Sequence, residues 1–425
     1  MYILHFSADD ITGGAAKAAF RLHSAIRGAG HDSRMVVRRK RSDDQDIVEA
    51  PLPPPRPWQS RFDRLRQRVP MMRRPVLSAK YTFNFNQEPS LDTQRFFERT
   101  GRRPDVICLH WIDGLLNTRL IRELYDYHHC PIVWILADQE PLTGGCHYSF
   151  GCAGYKYECG RCPQLGSHNK HDHTAVTWQQ KKQDLSSLPI CFIAPTSWCA
   201  DRIRESSLFR NNRIESIPYP IDTTVFRPIH QQVARDLLQL PHDKRLIFIG
   251  ATYLEERRKG MAELKEALTR LSELIAESSE LQHEDIFLFI AGVNGRSLTA
   301  NLPFAAKYVG FLNDEVTLAL AYQAADLFLC PSIEDAGPMM IPEAMLCGTP
   351  VVAFKTGGAP DLIESLRTGY LAKLADAEDL ARGVFTLLSS DYLPAVRANA
   401  HEAATQAHTP AIVARRYLNL FESLQ

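Results

Sequence analysis

Short, uninterrupted apolar runs rich in β-branched residues recur along this chain, each handed on to a stretch with helical spacing. This alternation most restricts what the chain can fold into. The first series runs "MYILHF" (1–6), "SRMVV" (33–37), "DVICLHW" (105–111), "PIVWIL" (131–136) and "CFIAPTS" (191–197). The helical patterns "GGAAKAAFRLHSAIRGAG" (13–30) and "TRLIRELYDYH" (118–128) lie between them. A second series restarts at 245 with "RLIFIG", "DIFLFIAG", "YVGFL", "DLFLCPS" and "PVVAF", and carries the long helical stretch "GMAELKEALTRLSELIAES" (260–278). Strands that are apolar throughout, rather than alternating, must be covered on both faces. That calls for parallel sheets with crossover helices. Two series make two doubly wound α/β domains, and 425 residues exceed one ordinary core. The seam falls at "IPYPIDTTVFRPIH" (217–230), where prolines and an aspartate break the pattern. The expected division is therefore 1–220, completed by a last helix at 409–425, and 221–408.

Lysine plus arginine equals aspartate plus glutamate at 49 each, so no overall field points to nucleic acid or an acidic partner. No apolar run reaches membrane-spanning length, and "MYILHF" followed by "SADD" reads as a strand rather than a signal peptide. The expected compartment is the cytoplasm or the inner face of the plasma membrane, where structural disulfides are not expected.

Three loops at strand ends carry candidate ligand chemistry. After the first strand, Gly13 and Gly14 open a helix whose free N–H groups can face an anion, although a tight turn is the plainer alternative. After "RLIFIG", Arg257, Arg258 and Lys259 precede Gly260 and a long helix, at the strand end where doubly wound sheets bind ligands. A lysine there can neutralise a diphosphate, and a solvated basic turn is the alternative. The third loop is "EDAGPMMIPEAMLCGTPVV" (334–352), with Asp335 and Glu343 eight residues apart around an apolar run. Pro342 is tolerable only in a first helical turn, which places Glu343 near a helix N-terminus that favours negative charge and phosphate. Gly348 and Pro350 then stop the helix. "FKTGGAPDLI" (354–363) adds two more glycines, and the convergence of acids, cations and glycine loops in one half is stronger than any single motif.

On these residues the sequence resembles the retaining glycosyltransferases of family 4. Their architecture is GT-B, with two Rossmann-like doubly wound α/β domains facing across a cleft. The most specific piece is the acid-x7-Glu pair followed by "AMLCGTPVVAFKTGGAPDLI", supported by "GGAAKAA", "VICLHW", "RRKG" and "AADLFLCPS". The likeness is greatest to bacterial enzymes for colanic acid, capsule and other surface polysaccharides, through "TGGCHYSFGCAGYKYECGRCPQL" (143–165). The resemblance implies transfer of a sugar, with retention, from a UDP- or GDP-type donor to a hydroxyl of a glycan or lipid-linked acceptor, with no cofactor required for catalysis. It implies that Glu343 binds ribose hydroxyls, that Asp335 holds the donor sugar at the reacting centre, and that Lys259 balances diphosphate charge. Arg257, Arg258, Gly337, Pro338, Met339 and Met340 join them as donor-binding residues. Gly13 and Gly14 are expected beside the diphosphate and acceptor, and His110 facing the cleft as a catalytic group. Asp335 stands where the family usually has glutamate, and Ala137 where relatives often have histidine. These two differences motivate one alternative, a catalytically silent sugar-nucleotide-binding subunit of a polysaccharide assembly complex; another GT-B enzyme such as an epimerase is the nearer rival.

Two segments stand outside the alternation. Cys146, Cys152, Cys159 and Cys162, with His147 among them, are spaced C-x5-C, C-x6-C and C-x2-C. The last interval suits structural zinc, away from any catalytic centre, and a thiol or disulfide staple is the alternative. Residues 56–80 hold eight basic residues and one acid among interleaved apolar side chains, which suits peripheral contact with an anionic membrane or a solvated basic loop. No nucleic-acid-binding fold frames that segment.

Overall fold

This computed structural model describes residues 1–51, 83–84, 91–100, 102–295 and 301–425. The basic segment at 56–80 lies outside them. The chain separates into two compact units. The first comprises Met1–Pro195, Cys199–Ile217 and Arg415–Gln425, and the second Thr196–Trp198 and Pro218–Ala414.

Among its described residues the first unit is built on seven strands: β1 (Tyr2–Asp9), β2 (Asp32–Arg39), β3 (Ile47–Glu49), β4 (Val106–Leu109), β5 (Ile132–Ile135), β6 (Ile190–Ala194) and β7 (Ile214–Ser216). They lie in the order β3-β2-β1-β4-β5-β6-β7, every pair parallel. The order reverses between β1 and β4, the switch point at which such sheets open a crevice beyond their carboxyl ends. β4, β5 and β6 are buried along their whole length, as their unbroken apolar runs require.

The second unit repeats the plan with β8 (Arg245–Tyr253), β9 (Ile286–Val293), β10 (Ala305–Tyr308), β11 (Leu327–Cys330), β12 (Val351–Phe354) and β13 (Gly369–Ala372). Its order is β10-β9-β8-β11-β12-β13, again parallel, with the switch between β8 and β11. One apolar cluster gathers around Ile247, Leu268, Leu288 and Val384, and another around Phe248, Tyr322, Phe328 and Met345. Phe248 and Phe328 belong to the same strands as Ile247 and Leu329 but to the other cluster, so successive residues feed opposite faces of the sheet.

Local chemistry sets the helix ends. Asn117, Asp172, Asp314 and Asp376 each precede a helix and accept a backbone N–H of its first turn, a contribution of about 1 kcal/mol apiece. A buried ion pair ties the helix Gln231–Leu238 to the sheet. Arg235 Nη2 lies 2.8 Å from Asp326 Oδ2, and that same oxygen accepts the Leu246 N–H at 2.6 Å. The last helix, Pro410–Glu422, begins in the second unit and ends in the first, where Arg416 donates to the Ser216 carbonyl and Arg213 to Ser423 Oγ. Residues 196–198 interrupt the first unit's run: Thr196 Oγ1 donates to the Ala336 carbonyl, and the Ser197 N–H to Asp361. No helix among the described residues is long and apolar enough to cross a membrane.

Candidate active site

In the second unit, the loops leaving β8 and β11 meet at Asp335. Its Oδ2 accepts from Arg258 Nη1 and Lys259 Nζ, both at 2.7 Å, and its Oδ1 accepts the Gly337 N–H at 3.2 Å. Asp335 is only 5% exposed. Burial alone would raise its pKa, but the adjacent Lys259 and Arg258 charges outweigh it and hold the carboxyl down at about 2. Arg258 is itself shared, donating from Nε to Glu256 at 2.6 Å. Two cations and two carboxylates thus lie together with no net charge.

Backbone geometry explains how the loops come so close. The Ile333 N–H donates to the Arg258 carbonyl at 2.8 Å, pinning one loop to the other. Gly260 sits at φ +69°, and a Cβ there would run into the Pro331 carbonyl. Gly357, at φ +57°, backs onto the Asp335 carbonyl in the same way. Any L-residue at either position would push the loops apart.

Glu343 lies in the first turn of the short helix Met340–Leu346, 5% exposed, with the buried Tyr322 hydroxyl 3.3 Å from its Oε2. Burial and then the Glu343 charge push the Cys347 thiol well up from its ordinary value. Gly337, Pro338, Met339 and Met340 join Asp335 to this helix and are half-buried. Of the expected donor-side residues, the structure therefore gathers Asp335, Lys259, Arg258 and the 337–340 stretch, with Glu343 one helical turn on. Arg257 is not drawn in: its side chain is 63% exposed and turns away to pair with Glu263 at 2.9 Å.

Gly13, Gly14 and His110 belong to the first unit. Gly13 caps the helix Gly14–Gly28 at φ +90°, and open space surrounds both glycines. His110 follows β4 and is 3% exposed; its Nε2 lies 3.0 Å from His5 Nδ1, with the rings stacked. His23, bonded to Ser33 Oγ at 2.7 Å, packs edge-on against His5. Burial drives all three imidazoles toward the neutral form, taking His110 down to about 3, His23 to about 4 and His5 well below its ordinary value.

The cysteine-rich segment forms two short 3-10 turns, Gly154–Lys156 and Pro163–Leu165, and packs on the helix Ser197–Glu205, where Tyr155 Oη donates to Glu205 at 2.5 Å and Lys156 pairs with it at 2.8 Å. Cys146, Cys152, Cys159 and Cys162 approach closely enough to feel one another's charge, and burial raises the thiols of Cys146, Cys159 and Cys162. All four are free cysteines, and the Gly144 and Gly154 N–H groups donate to the sulfurs of Cys159 and Cys152. Among the described residues, no set of three or more His, Cys, Asp or Glu side chains is arranged to hold a metal ion. His147 does not face the thiols as its place in the sequence suggested. Its Nδ1 pairs with Asp138 Oδ2 at 2.7 Å, just beyond β5. Sequence reasoning missed Asp138, Glu140 and Asp113 as partners of this histidine; "ADQEP" directly after an unbroken strand was the available signal.

Two parallel-sheet Rossmann-like units of this kind are the GT-B architecture. The whole chain superimposes on the whole of Anabaena HepE, a structure determined in complex with UDP and glucose, with a TM-score of 0.65 at 15% identity; at that identity the likeness speaks for the fold. Residues 233–407, within the second unit, match the family of glycosyl transferases group 1. The putative colanic acid biosynthesis glycosyl transferase WcaC of Escherichia coli is 23% identical over 380 residues, covering 86% of this chain and 85% of its own. D-inositol 3-phosphate glycosyltransferase 2 of Catenulispora acidiphila is 29% identical over 191 residues, which are 42% of this chain and less than half, 43%, of that relative.

Proposed function

We propose that this protein is a retaining glycosyltransferase, moving a sugar from a nucleoside-diphosphate donor to a hydroxyl of a glycan or lipid-linked acceptor in surface-polysaccharide synthesis. The carrying observation is the Asp335–Lys259–Arg258 cluster, in which two cations meet one buried carboxylate at the carboxyl ends of β8 and β11. Without donor the cluster is neutralised internally. A diphosphate entering it takes up the Lys259 and Arg258 charges and leaves Asp335 free to accept hydroxyls of the transferred sugar. In the transfer, the bond between the anomeric carbon and the diphosphate oxygen breaks as the acceptor oxygen bonds to that carbon from the same face. The acceptor proton passes to the departing phosphate oxygen. Lys259 and Arg258 stabilise the charge that develops there, so the leaving group is met by protein cations. Glu343 accepts the ribose hydroxyls. The group 1 match and the length of the match to WcaC support this reading, and the UDP and glucose in the HepE structure support a nucleotide-sugar donor.

The test is a calorimetric titration with UDP, GDP and ADP, repeated on Lys259→Ala and Glu343→Ala. Binding of one nucleotide, weakened by both changes, is the expected result; binding of none by the unaltered protein would remove the proposal's main support. Binding without turnover across a broad panel of lipid-linked acceptors would instead favour a silent sugar-nucleotide-binding subunit.

A further inference from the structure

The loop leaving β8 carries an acid that the transfer chemistry above leaves without a role. Glu255, Glu256, Arg257, Arg258 and Lys259 are consecutive, two acids followed by three cations. The fold partners them separately. Glu255 accepts from Asn294 at 3.1 Å, Arg257 pairs with Glu263 at 2.9 Å, and Lys259 reaches Asp335 at 2.7 Å. Glu256 is the one turned back onto Arg258, its Oε1 accepting the Nε–H at 2.6 Å. The Glu256 side chain is 24% exposed and that of Arg258 16%, so salt and water screen this pair less than one standing clear of the surface.

The geometry separates a fixed contact from an exchangeable one. Arg258 donates to Glu256 from Nε and to Asp335 from Nη1, so two carboxylates hold different edges of one planar cation. Glu256 lies two residues before Arg258 in the same turn, which the Lys259 N–H closes by donating to the Glu256 carbonyl at 2.8 Å. Asp335 lies 77 residues further on, in the loop leaving β11, and the same oxygen also serves Lys259. A contact between residues two apart costs little chain entropy to keep, whereas one between distant loops depends on both. The Ile333 N–H on the Arg258 carbonyl, at 2.8 Å, holds the backbone meanwhile. An anion that draws Nη1 away from Asp335 therefore leaves the Nε contact and the backbone as they were.

We infer that Glu256 is a positioning residue, which holds the Arg258 guanidinium by its Nε edge while the Nη1 end passes from Asp335 to the diphosphate of the donor. The inference rests on the proposed function, since it assigns a role within that same cluster. It also carries a sign. Glu256 is an acid beside an anion site, so its charge opposes diphosphate binding, while the place it gives Arg258 assists transfer. A merely structural ion pair has no such opposition: its loss lowers affinity and turnover together, or lowers neither.

The full-length protein tests this with Glu256→Ala and with Glu256→Gln, the second keeping an acceptor oxygen in place without the charge. Calorimetry with UDP, GDP and ADP reads nucleotide affinity. Release of nucleotide from UDP-glucose, GDP-mannose and ADP-glucose, in the presence of extracted lipid-linked glycans, reads turnover, and a thermal melt reports folding. The alanine variant should lose about tenfold in kcat and bind the nucleotide at least as tightly as the unaltered protein. The glutamine variant should recover kcat to within about threefold and bind no more weakly. Unchanged kcat in both variants overturns the inference, as does a joint fall of kcat and affinity in the glutamine variant. A glutamine variant as slow as the alanine variant also overturns it, because charge rather than position would then be what Glu256 supplies. In those three cases the unaltered protein still binds and turns over, and the proposed function stands. Failure of the unaltered protein to bind any of the three nucleotides, or to release one from any donor, overturns the proposed function and this inference with it.

Discussion

The two units bury clusters of ionisable groups and treat them in opposite ways. In the second unit the charges are kept and paired: Asp335 stays ionised at 5% exposure because two cations touch one of its oxygens. In the first unit the clustered histidines are silenced: His5, His23 and His110 are buried without an adequate counter-charge and stay neutral. A paired cluster is ready to exchange one partner for an incoming anion. A neutral cluster offers only directional hydrogen bonds. Under the proposed function, the second unit's cluster is the one that meets phosphate.

The sharpest way to break that comparison is Lys259→Ala. Turnover should fall by about 10²–10³-fold, the usual effect of removing one group that stabilises developing charge, while Asp335 keeps Arg258 and the protein still melts cooperatively. Steady-state kinetics with a thermal melt as control would show it. An unchanged kcat would mean the cluster is a structural ion pair. Glu343→Ala should cost about tenfold in UDP affinity and leave pyrophosphate affinity unaltered, because its proposed partner is the ribose. Equal losses for both ligands in calorimetry would remove that role.

Acid should separate the two units. The folded pKa of Asp335, about 2, lies below its ordinary 3.8, so its contribution is present above about pH 4 and is lost as pH falls toward 2. His23 and His110 are depressed from 6.5 to about 4 and about 3. The unfolded chain therefore takes up their protons first, and the first unit loses stability as pH falls below 6.5. His147 runs the other way, since the Asp138 carboxylate outweighs burial and raises it, but it is one group against three. Hydrogen exchange followed from pH 7 to pH 4 should show protection falling first around β1 and β4, with β8 and β11 holding longer. In His23→Asn the dependence of Tm on pH across that window should flatten. The smallest expected effect is that of a chelator: under the proposed mechanism, in which Lys259 and Arg258 meet the leaving group, EDTA should change turnover by less than about twofold, and a large loss would call for a metal in the mechanism.

Much of the architecture was readable before any coordinates. Unbroken runs such as "LFLC" and "VVAF" had to be strands covered on both faces, and they are buried throughout β11 and β12. "PEAMLCG" between them had to be a short helix, because Pro342 and Gly348 bound it, and Met340–Leu346 is that helix. Such patterns are legible because burial imposes its period on neighbouring residues. Strand-end placement likewise brought Asp335, Lys259 and Glu343 into one argument.

What only the tertiary structure decided are the partners. Arg257 and Arg258 are adjacent and chemically identical, yet one reaches Asp335 and the other turns out to Glu263; the pinning of the Arg258 carbonyl by Ile333 accompanies that difference. His5 meets His110 because β1 lies beside β4 with His5 opposite Cys108, which puts residue 110 two places further along the same face. His147 sits among cysteines in the sequence and beside Asp138 in space, since an irregular loop carries no period from which its facing can be read. Local repetition specifies which residues are buried, whereas pairings between distant loops follow from crossover topology and register, and those exist only once the sheets have formed.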